Sequence, residues 1–471
     1  MTTETQLPQG WEIKKFGDVI DIQGGSQPPK SEFIYEPKEN YIQLLQIRDF
    51  GENGIPTFVP KNRVTKFCDK DDILIARYGA SLGRIVTGLT GAYNVALAKT
   101  IFDESILFKR FVYYLLQTQI FQLPLTMISR SAQNGFAKHE IAHIEIPIPP
   151  LETQQTIVNK IESLFAEIDA GIASLKNAEQ QLVQYRQALL KNAFNGELTK
   201  AWREQNAETL PSAEELLTQI QTAREQHHAE QIKQWESAVK KWELSGKVGK
   251  KPSKPKALIQ AVKFEEDFAD LPRGWAAIKI NQVADIFTGA TPLKSNSSYY
   301  ENGSIPWVTS GSLNNEFVSV ADNFVTDLAL KETNLRLLPK HTLLVAMYGE
   351  GKTRGKCSEL LIEATTNQAI AGIVINEKFP INRKFLKFYM FKNYADIRRQ
   401  SSGGVQPNLN LGLVGNIAFP FPCLAEQIQI VAILEQKLTA CDQLTAELAT
   451  QLKQAELLKQ AVLKAAFSGR L

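Results

Sequence analysis

At ~150 residues per domain a chain of 471 residues suggests about three globular units, or two plus connectors, and its 44% hydrophobic content leaves ample apolar mass for their cores. No apolar run approaches the ~18 residues of a membrane span, the polar start Met1 to Gln9 lacks signal-peptide order, and Cys68, Cys357, Cys423 and Cys441 make no CxxC pair, so the chain reads as a cytoplasmic protein without a zinc ribbon or disulfide scaffold. A formal net charge of +3, from 53 basic and 50 acidic residues, neither demands nor excludes nucleic acid, because a local basic surface decides that.

Along the first half, Leu7-Pro8-Gln9-Gly10-Trp11 is followed by Asp21-Ile22 and Gly25. The run Asp72-Ile73-Leu74-Ile75-Ala76 predicts a strand that ends in a Gly-rich loop, Ala76 to Arg84. A polar loop, Ser129 to Gly135, precedes the Pro-rich strip Ile146 to Pro150, which cannot continue a helix and marks the exit from the domain. Beyond it, apolar residues fall at Ile157, Ile161, Leu164, Ile168, Leu175, Leu182, Tyr185 and Leu189. Spacings of three, four and seven over roughly 40 residues predict a coiled-coil seam on a helix of about 60 Å, longer than one domain needs. Residues 199–263 then read as a connector. Pro211-Ser212-Ala213-Glu214 looks like a helix start, Glu214 to Trp242 is rich in Gln, Glu, Ala and Lys, and Gly246 to Lys256 carries five lysines and no acids.

The second half repeats the first. Leu271-Pro272-Arg273-Gly274-Trp275 matches Leu7 to Trp11 at the offset that separates Trp275 from Trp11, and Asp285-Ile286 and Gly289 keep it. A second match, at a larger offset, runs without a gap from Pro420-Phe421-Pro422 (against Pro147-Ile148-Pro149) to Gly469 (against Gly196). It includes Gln427 for Gln154 and a second seam at Leu434, Leu438, Cys441, Leu448, Leu452, Ala455, Leu458 and Val462. Thr342-Leu343-Leu344-Val345-Ala346 predicts the counterpart strand, and Asn367 echoes Asn94. The centres have otherwise diverged, so the chain is a duplicated unit with a kept frame and a changed middle.

Two enzyme-like patterns fail in context. His139-Glu140-Ile141-Ala142-His143 fits HExxH, but it ends close to the Pro-rich exit, and the duplicate has Gly412, Leu413 and Asn416 there. Ala346 to Thr353 nearly fits a phosphate-binding loop, yet the duplicate Ala76 to Arg84 has no GKT. What the loops share is glycine, a tyrosine and basic side chains, which suit phosphates and guanine edges. The polar loops before each exit, Ser129 to Gly135 and Arg398 to Gln406, add Gln and Asn, which can pair with adenine. The candidate DNA contacts are Arg48, Arg77, Tyr78, Ser81, Arg84, Arg130, Gln133, Asn134 and Lys138 in the first half. In the second they are Ser310, Tyr348, Lys352, Arg354, Lys356, Arg398, Arg399, Gln406 and Asn408.

Two diverged domains, each followed by a near-repeated helix, resemble the specificity subunit of type I restriction-modification systems. The resemblance rests on LPxGW (Leu7 to Trp11, Leu271 to Trp275), on Leu151-Glu152-Thr153-Gln154-Gln155 and Leu424-Ala425-Glu426-Gln427 after the exits, and on the helix ends Lys191 to Leu198 and Lys464 to Leu471. Thr153 departs from the usual glutamate of the exit motif. The resemblance implies an α+β fold with target-recognition domains at 1–150 and 264–423, conserved helices at 151–198 and 424–471, and a connector at 199–263. The two helices would pair as an antiparallel coiled coil with pseudo-two-fold symmetry. It further implies a non-catalytic chain that binds no cofactor and reads a bipartite duplex DNA site. Its partners would be two methyltransferase subunits and the restriction subunits, which would use S-adenosylmethionine, ATP and Mg. The rival readings are a free-standing DNA-binding regulator that dimerises through its helices, and a zinc metallopeptidase using His139 and His143.

Overall fold

Trp11 and Trp275 each precede a short strand that pairs with the strand leaving the same domain. The computed structural model describes residues 8–51, 54–131, 135–248, 251–255, 257–258, 268, 270–348, 353–402 and 409–471, with the side chains of 128–131 and 395–402 outside that set. Glu12–Lys15 runs antiparallel to Glu145–Ile148, and Ala276–Lys279 runs antiparallel to Ala418–Phe421 in the matching register. Both Pro147 and Pro420 sit in these two-stranded ribbons, whose outer side tolerates a missing N–H. The chain divides into two units: residues 1–179 with 446–471 (unit 1) and residues 180–445 (unit 2).

In unit 1 an antiparallel sheet takes Asp21–Gly24, Leu97–Ile101, Leu74–Ala76 and Ile85–Val86 in that order. A second sheet takes Phe58–Pro60, Tyr41–Leu45, Gly91–Tyr93 and Phe67–Cys68, with a parallel pairing at Leu44 and Ala92. Unit 2 follows the same plan. Its first sheet is Ala284–Thr288, Ile370–Ile375, Leu343–Ala346, Cys357–Leu360 and Phe317–Val318, and its second is Asn323–Val325, Ile305–Val308 and Thr365–Thr366, again parallel, at Trp307 and Thr365. The kept glycines explain themselves at the crossing of the two sheets. A Cβ on Gly25 would lie 2.2 Å from the carbonyl oxygens of Tyr93 and Asn94, and one on Gly289 would lie 1.7 Å from that of Thr366.

The kept glutamines are clamps. Gln154, wholly buried, accepts from the Phe108 N–H at 2.8 Å and donates to the Ile106 and Pro149 carbonyls. Gln427 accepts from the Asn382 N–H at 2.8 Å and donates to the Pro380 and Pro422 carbonyls. Each glutamine satisfies three backbone groups where a domain helix begins beside the long helix, so no shorter or apolar residue replaces it.

The long helices span Leu151–Phe194 and Leu424–Ala466. In unit 1, Ile157, Val158 and Ile161 share one core with Val462, Leu463, Ala466 and Phe467, while Lys459 reaches Asp169 and lies over the Phe165 ring. In unit 2, Leu189, Ala193 and Phe194 share a core with Ile430, Val431 and Leu434, and Arg186 pairs with Asp442. In each unit the start of one helix therefore runs antiparallel to the end of the other. Two seam positions differ from the sequence pattern. Tyr185 and Leu458 are 46% and 52% exposed, while their neighbours Arg186 and Lys459 are half-buried and pair with Asp442 and Asp169.

Each helix end closes on the LPxGW motif of its unit. Gly469 (φ +69°) and Gly196 (φ +83°) lie so close to Pro8 and Pro272 that a Cβ would fall 2.0 and 2.3 Å from the proline Cγ atoms. The preceding aromatics dock beside them: Phe467 against Phe111 at 4.9 Å, and Phe194 against Phe385 at 5.1 Å. In unit 2 this joint carries a buried carboxylate. Glu426 accepts from Thr199 Oγ1 (2.7 Å), Arg203 Nη1 (2.5 Å) and Trp275 Nε1 (2.8 Å), while Arg203 Nη2 donates to the Gly196 carbonyl. At the matching place in unit 1 stands Thr153, half-buried, so no buried carboxylate there requires a cation.

The stretch read as a connector is, in its first part, a piece of unit 2. Ser212 caps the helix Ala213–Leu244 in a reciprocal box with Glu215, and Leu216, Ile220 and Ala223 enter the unit's main core. Among the described residues no helix is long and apolar enough to cross a membrane.

Candidate nucleic-acid interface

In unit 1 the strand Leu74–Ala76 returns as Ile85–Val86 through the Gly-rich loop. The loop is closed at its base by Gly83 N–H donating to the Ala76 carbonyl and Ala76 N–H donating to that of Arg84. Gly79–Ser81 makes a single 3-10 turn at its tip, with Ser81 half-buried and Tyr78 38% exposed. Arg84 is exposed, and its Nη2 donates at 2.8 Å to the carbonyl of Phe50, which ends the turn Ile47–Phe50 after strand Tyr41–Leu45. Arg48, also exposed, lies in that turn and donates to Thr57 Oγ1 at 3.1 Å. Asp49 caps it by accepting from the Gln46 N–H at 2.8 Å, and burial raises its carboxyl above the ordinary value. Gly135 (φ +91°) presses against the loop: a Cβ there would meet the Arg77 carbonyl at 2.1 Å and the Tyr78 ring at 2.5 Å. Three segments thus converge on this loop.

Unit 2 builds the same surface from other side chains. Gly355 N–H donates to the Ala346 carbonyl and Ala346 N–H to that of Lys356, so Lys356 occupies the place of Arg84. Lys356 Nζ donates to Asn314 Oδ1 at 2.9 Å, beside the turn Ser310–Ser312 that follows strand Ile305–Val308. In both units, then, a basic residue of the hairpin loop is braced to the turn after the central strand, once through a main-chain carbonyl and once through an amide. Tyr348, 37% exposed, matches Tyr78, and Leu409 N–H donates to the Met347 carbonyl, bringing in the third segment. Arg354 and Ser310 are half-buried in this group.

Arg77 is placed differently from its neighbours. Its guanidinium donates inward to the Phe136 carbonyl at 3.2 Å and lies against the Tyr78 and Phe136 rings, and the equivalent residue in unit 2 is the buried Met347. Lys138 pairs with Asp21 at 2.6 Å, which holds the Asp21 carboxyl below its usual value. Gln133, Asn134, Lys352, Gln406 and Asn408, and the side chains of Arg130, Arg398 and Arg399, lie outside the described residues. Asn314 and the Phe50 carbonyl, which hold the basic residues in place, carry no sequence signal, since a turn asparagine and a backbone oxygen look alike everywhere.

The enzyme-like patterns do not become sites. His139 and Glu140 lie in a four-residue helix, Lys138–Ile141, and Glu140 accepts from the Ala137 N–H as its cap. Among the described residues no group of three His, Cys, Asp or Glu could hold a metal. The loop that nearly fits a phosphate-binding pattern leads into the strand Cys357–Leu360, not a helix. A buried charge cluster in unit 2 is structural in kind: Glu359 meets Lys387 (3.0 Å), His341 (2.9 Å) and Arg383 (3.0 Å), and Lys387 also meets Glu316. Burial alone would raise the Glu359 carboxyl, but hydrogen bonds from Lys387 and His341 and the surrounding positive charge outweigh it and hold it low.

The profile of the type I restriction modification DNA specificity domain matches residues 8–177 and 272–454. The chain is 25% identical to the type I restriction enzyme EcoDI specificity subunit of Escherichia coli, over 99% of this chain and 90% of that one. It is 28% identical to the EcoKI specificity subunit of Escherichia coli K12 over 42% of this chain, a match that spans 45% of that subunit. Its fold superposes with a TM-score of 0.69 on a chain from a study of complex assembly and conformational transition of the type I R-M system, covering 99% and 100% of the two chains at 16% identity. The HsdS subunit of Thermoanaerobacter tengcongensis gives 0.56, again at 16% identity, covering 99% and 98%. With its duplicated domains, paired long helices and full-length likeness to specificity subunits, the chain belongs to the type I restriction-modification DNA specificity family, whose members are the non-catalytic, DNA-recognising subunits of these systems.

Proposed function

We propose that the chain reads a bipartite duplex DNA site, one half with each recognition domain, and scaffolds two adenine methyltransferase subunits and the restriction subunits on its long helices. The divisions 1–150, 151–198, 199–263, 264–423 and 424–471 describe the roles, and the cytoplasm is the expected compartment. The observation that carries this reading is the paired three-segment surface: Tyr78 with Arg48, Ser81 and Arg84 in unit 1, and Tyr348 with Ser310, Arg354 and Lys356 in unit 2. One frame presenting two sets of polar and basic side chains is what two different half-sites require. S-adenosylmethionine, ATP and Mg would be used by the partners.

The test is selection from randomised duplexes by the chain with its methyltransferase subunits. Arg84→Ala should relax one half-site and Lys356→Ala the other, each lost base contact costing ~1–3 kcal/mol. Uniform weakening of all sequences by both variants would make these residues phosphate contacts and remove the division of labour.

A further inference from the structure

The second part of the connector has no role in the reading above. Residues 232–256 hold eight lysines, two glutamates and no arginine, a net +6 in a chain whose total is +3, so the rest of the protein sums to −3. The helix Ala213–Leu244 is fastened to unit 2 as far as Gln231: His227 meets Asn376 and Asp285, and Glu230 pairs with Lys378. Its remaining residues run on for about 20 Å at 1.5 Å each, and Trp235 and Trp242 on them meet the returning segment 251–255. Gly246 and Lys247, both at positive φ, end the helix. Trp235 Nε1 then donates to the Pro252 carbonyl at 3.1 Å, with Lys254 over the Trp235 ring and Lys251 over that of Trp242. The described residues 251–255 are thus held against the helix, which with them makes an arm. Lys240, Lys241, Lys247, Lys251 and Lys254 are all exposed on it, and none is ion-paired with a described carboxylate.

We propose that this arm is a sequence-independent contact for the phosphate backbone of duplex DNA outside the base-read segment. The inference rests on the reading of the chain as a DNA-binding subunit. Two observations choose DNA over an acidic protein face. Protein–protein interfaces are depleted in lysine and enriched in arginine, whereas exposed lysines are point-charge partners for phosphate. The arm's net charge moreover stays at +6 after its two glutamates are counted. A third observation chooses flanking DNA. The arm is rooted where Asp285 and Asn376 lie, at the end of the five-stranded sheet opposite Ala346 and Ile370, from which the reading loops spring. Its contact would then fall on the backbone beyond the base pairs they read.

The experiment uses the full chain assembled with its methyltransferase subunits and compares it with K240Q/K241Q/K247Q/K251Q/K254Q. The probes are a long duplex carrying the target, a long duplex without it, and a short duplex trimmed to the target. Each lost phosphate contact lowers the slope of log affinity against log salt by ~0.9, so the variant's slope on both long duplexes should fall by about 2 to 4. Affinity should fall by the same factor with and without the target, the short duplex should bind equally to both proteins, and the five-fold Lys→Arg variant should behave as the parent. Equal slopes and affinities on the long duplexes would overturn the proposal. So would a variant that loses its partner subunits at unchanged slope, which would make the occupant an acidic protein face. Failure of the underlying reading is separately visible: the parent would then show no preference for any target in the selection, while the long duplex without target still reports on the arm.

Discussion

Replacing Glu426 by alanine should destabilise unit 2 more than any other single loss at the joint between Gly196 and Pro272. Its side chain is 2% exposed and takes three donors, from Thr199, Arg203 and Trp275. Arg203 is itself only 15% exposed, so truncation leaves a largely buried guanidinium without its counter-charge, a loss of about 3–5 kcal/mol. The indole N–H and the Thr199 hydroxyl lose their acceptor as well. These losses share one carboxylate and do not add. Arg203→Ala removes the cation and also its packing over the Trp275 ring at 5.6 Å. In the double variant the uncompensated charge disappears, so the pair should cost less than the sum of the singles by ~1–3 kcal/mol, the range for residues in one network. Urea denaturation of the parent, Glu426→Ala, Arg203→Ala and the double variant gives the four corners of the cycle. A Glu426→Ala change within ~0.5 kcal/mol of the parent, or strict additivity with Arg203→Ala, would refute the view that Glu426 holds this joint together.

Gln427→Leu leaves the Asn382 N–H and the Pro380 and Pro422 carbonyls without their partner, and Gln154→Leu does the same in unit 1, at about 1–3 kcal/mol per unmet buried group; thermal denaturation should show each loss. Gly469→Ala and Gly196→Ala force a side chain into positive φ against Pro8 and Pro272, costing ~1–3 kcal/mol, and Pro8→Ala should partly rescue the first, which a stability cycle reads directly. The lowered Glu359 carboxyl contributes stability that is present above its unfolded value near 4.5 and is lost as pH falls through its folded value, so Glu359→Gln should flatten the acid limb of unit 2's stability profile; an unchanged limb would contradict this. Burial pushes the Cys68 and Cys357 thiols up to about 11 and about 12, so both should resist iodoacetamide at pH 8 in the folded chain and react once it is unfolded, as mass spectrometry would show.

What could be read from the sequence is what the duplication kept, and the structure shows why it was kept. Gly25 and Gly289, Gln154 and Gln427, and the proline and glycine that meet at each helix end are all places where one particular residue fits the backbone. Repetition exposes such residues without an alignment. The long helices were legible because their apolar spacing persists, yet Tyr185 and Leu458 misled. Hydrophobicity alone does not reveal that Arg186 and Lys459 are half-buried with their charges satisfied across the pair. The basic residues of the proposed reading surface could be named, but not their braces. Arg84 reaches a carbonyl 34 residues away and Lys356 an amide 42 away, relations that only the folded hairpins create. Arg77 looked like its neighbours and is turned inward, and only its exchange for Met347 at the matching place hints at that. The helical part of the connector was visible, but its burial was not, because Leu216, Ile220 and Ala223 make a stripe too short to stand out among Gln, Glu and Lys.

The way each helix end closes on an LPxGW motif has a consequence for synthesis. Unit 2 is one continuous stretch, residues 180–445, and every contact of its joint, Gly196 with Pro272 and Glu426 with Thr199, is available once that stretch has left the ribosome. Unit 1 is discontinuous: Pro8 waits for Gly469, and Phe111 for Phe467, across more than 350 residues of chain. Until residues 446–471 emerge, the core around Ile157, Ile161 and the Phe111 ring lacks Val462, Leu463, Ala466 and Phe467. The domain made first is therefore the last to be sealed, and the nascent chain carries an open apolar groove through most of its translation. A stalled or truncated product lacking residues 446–471 would leave that core incomplete for good.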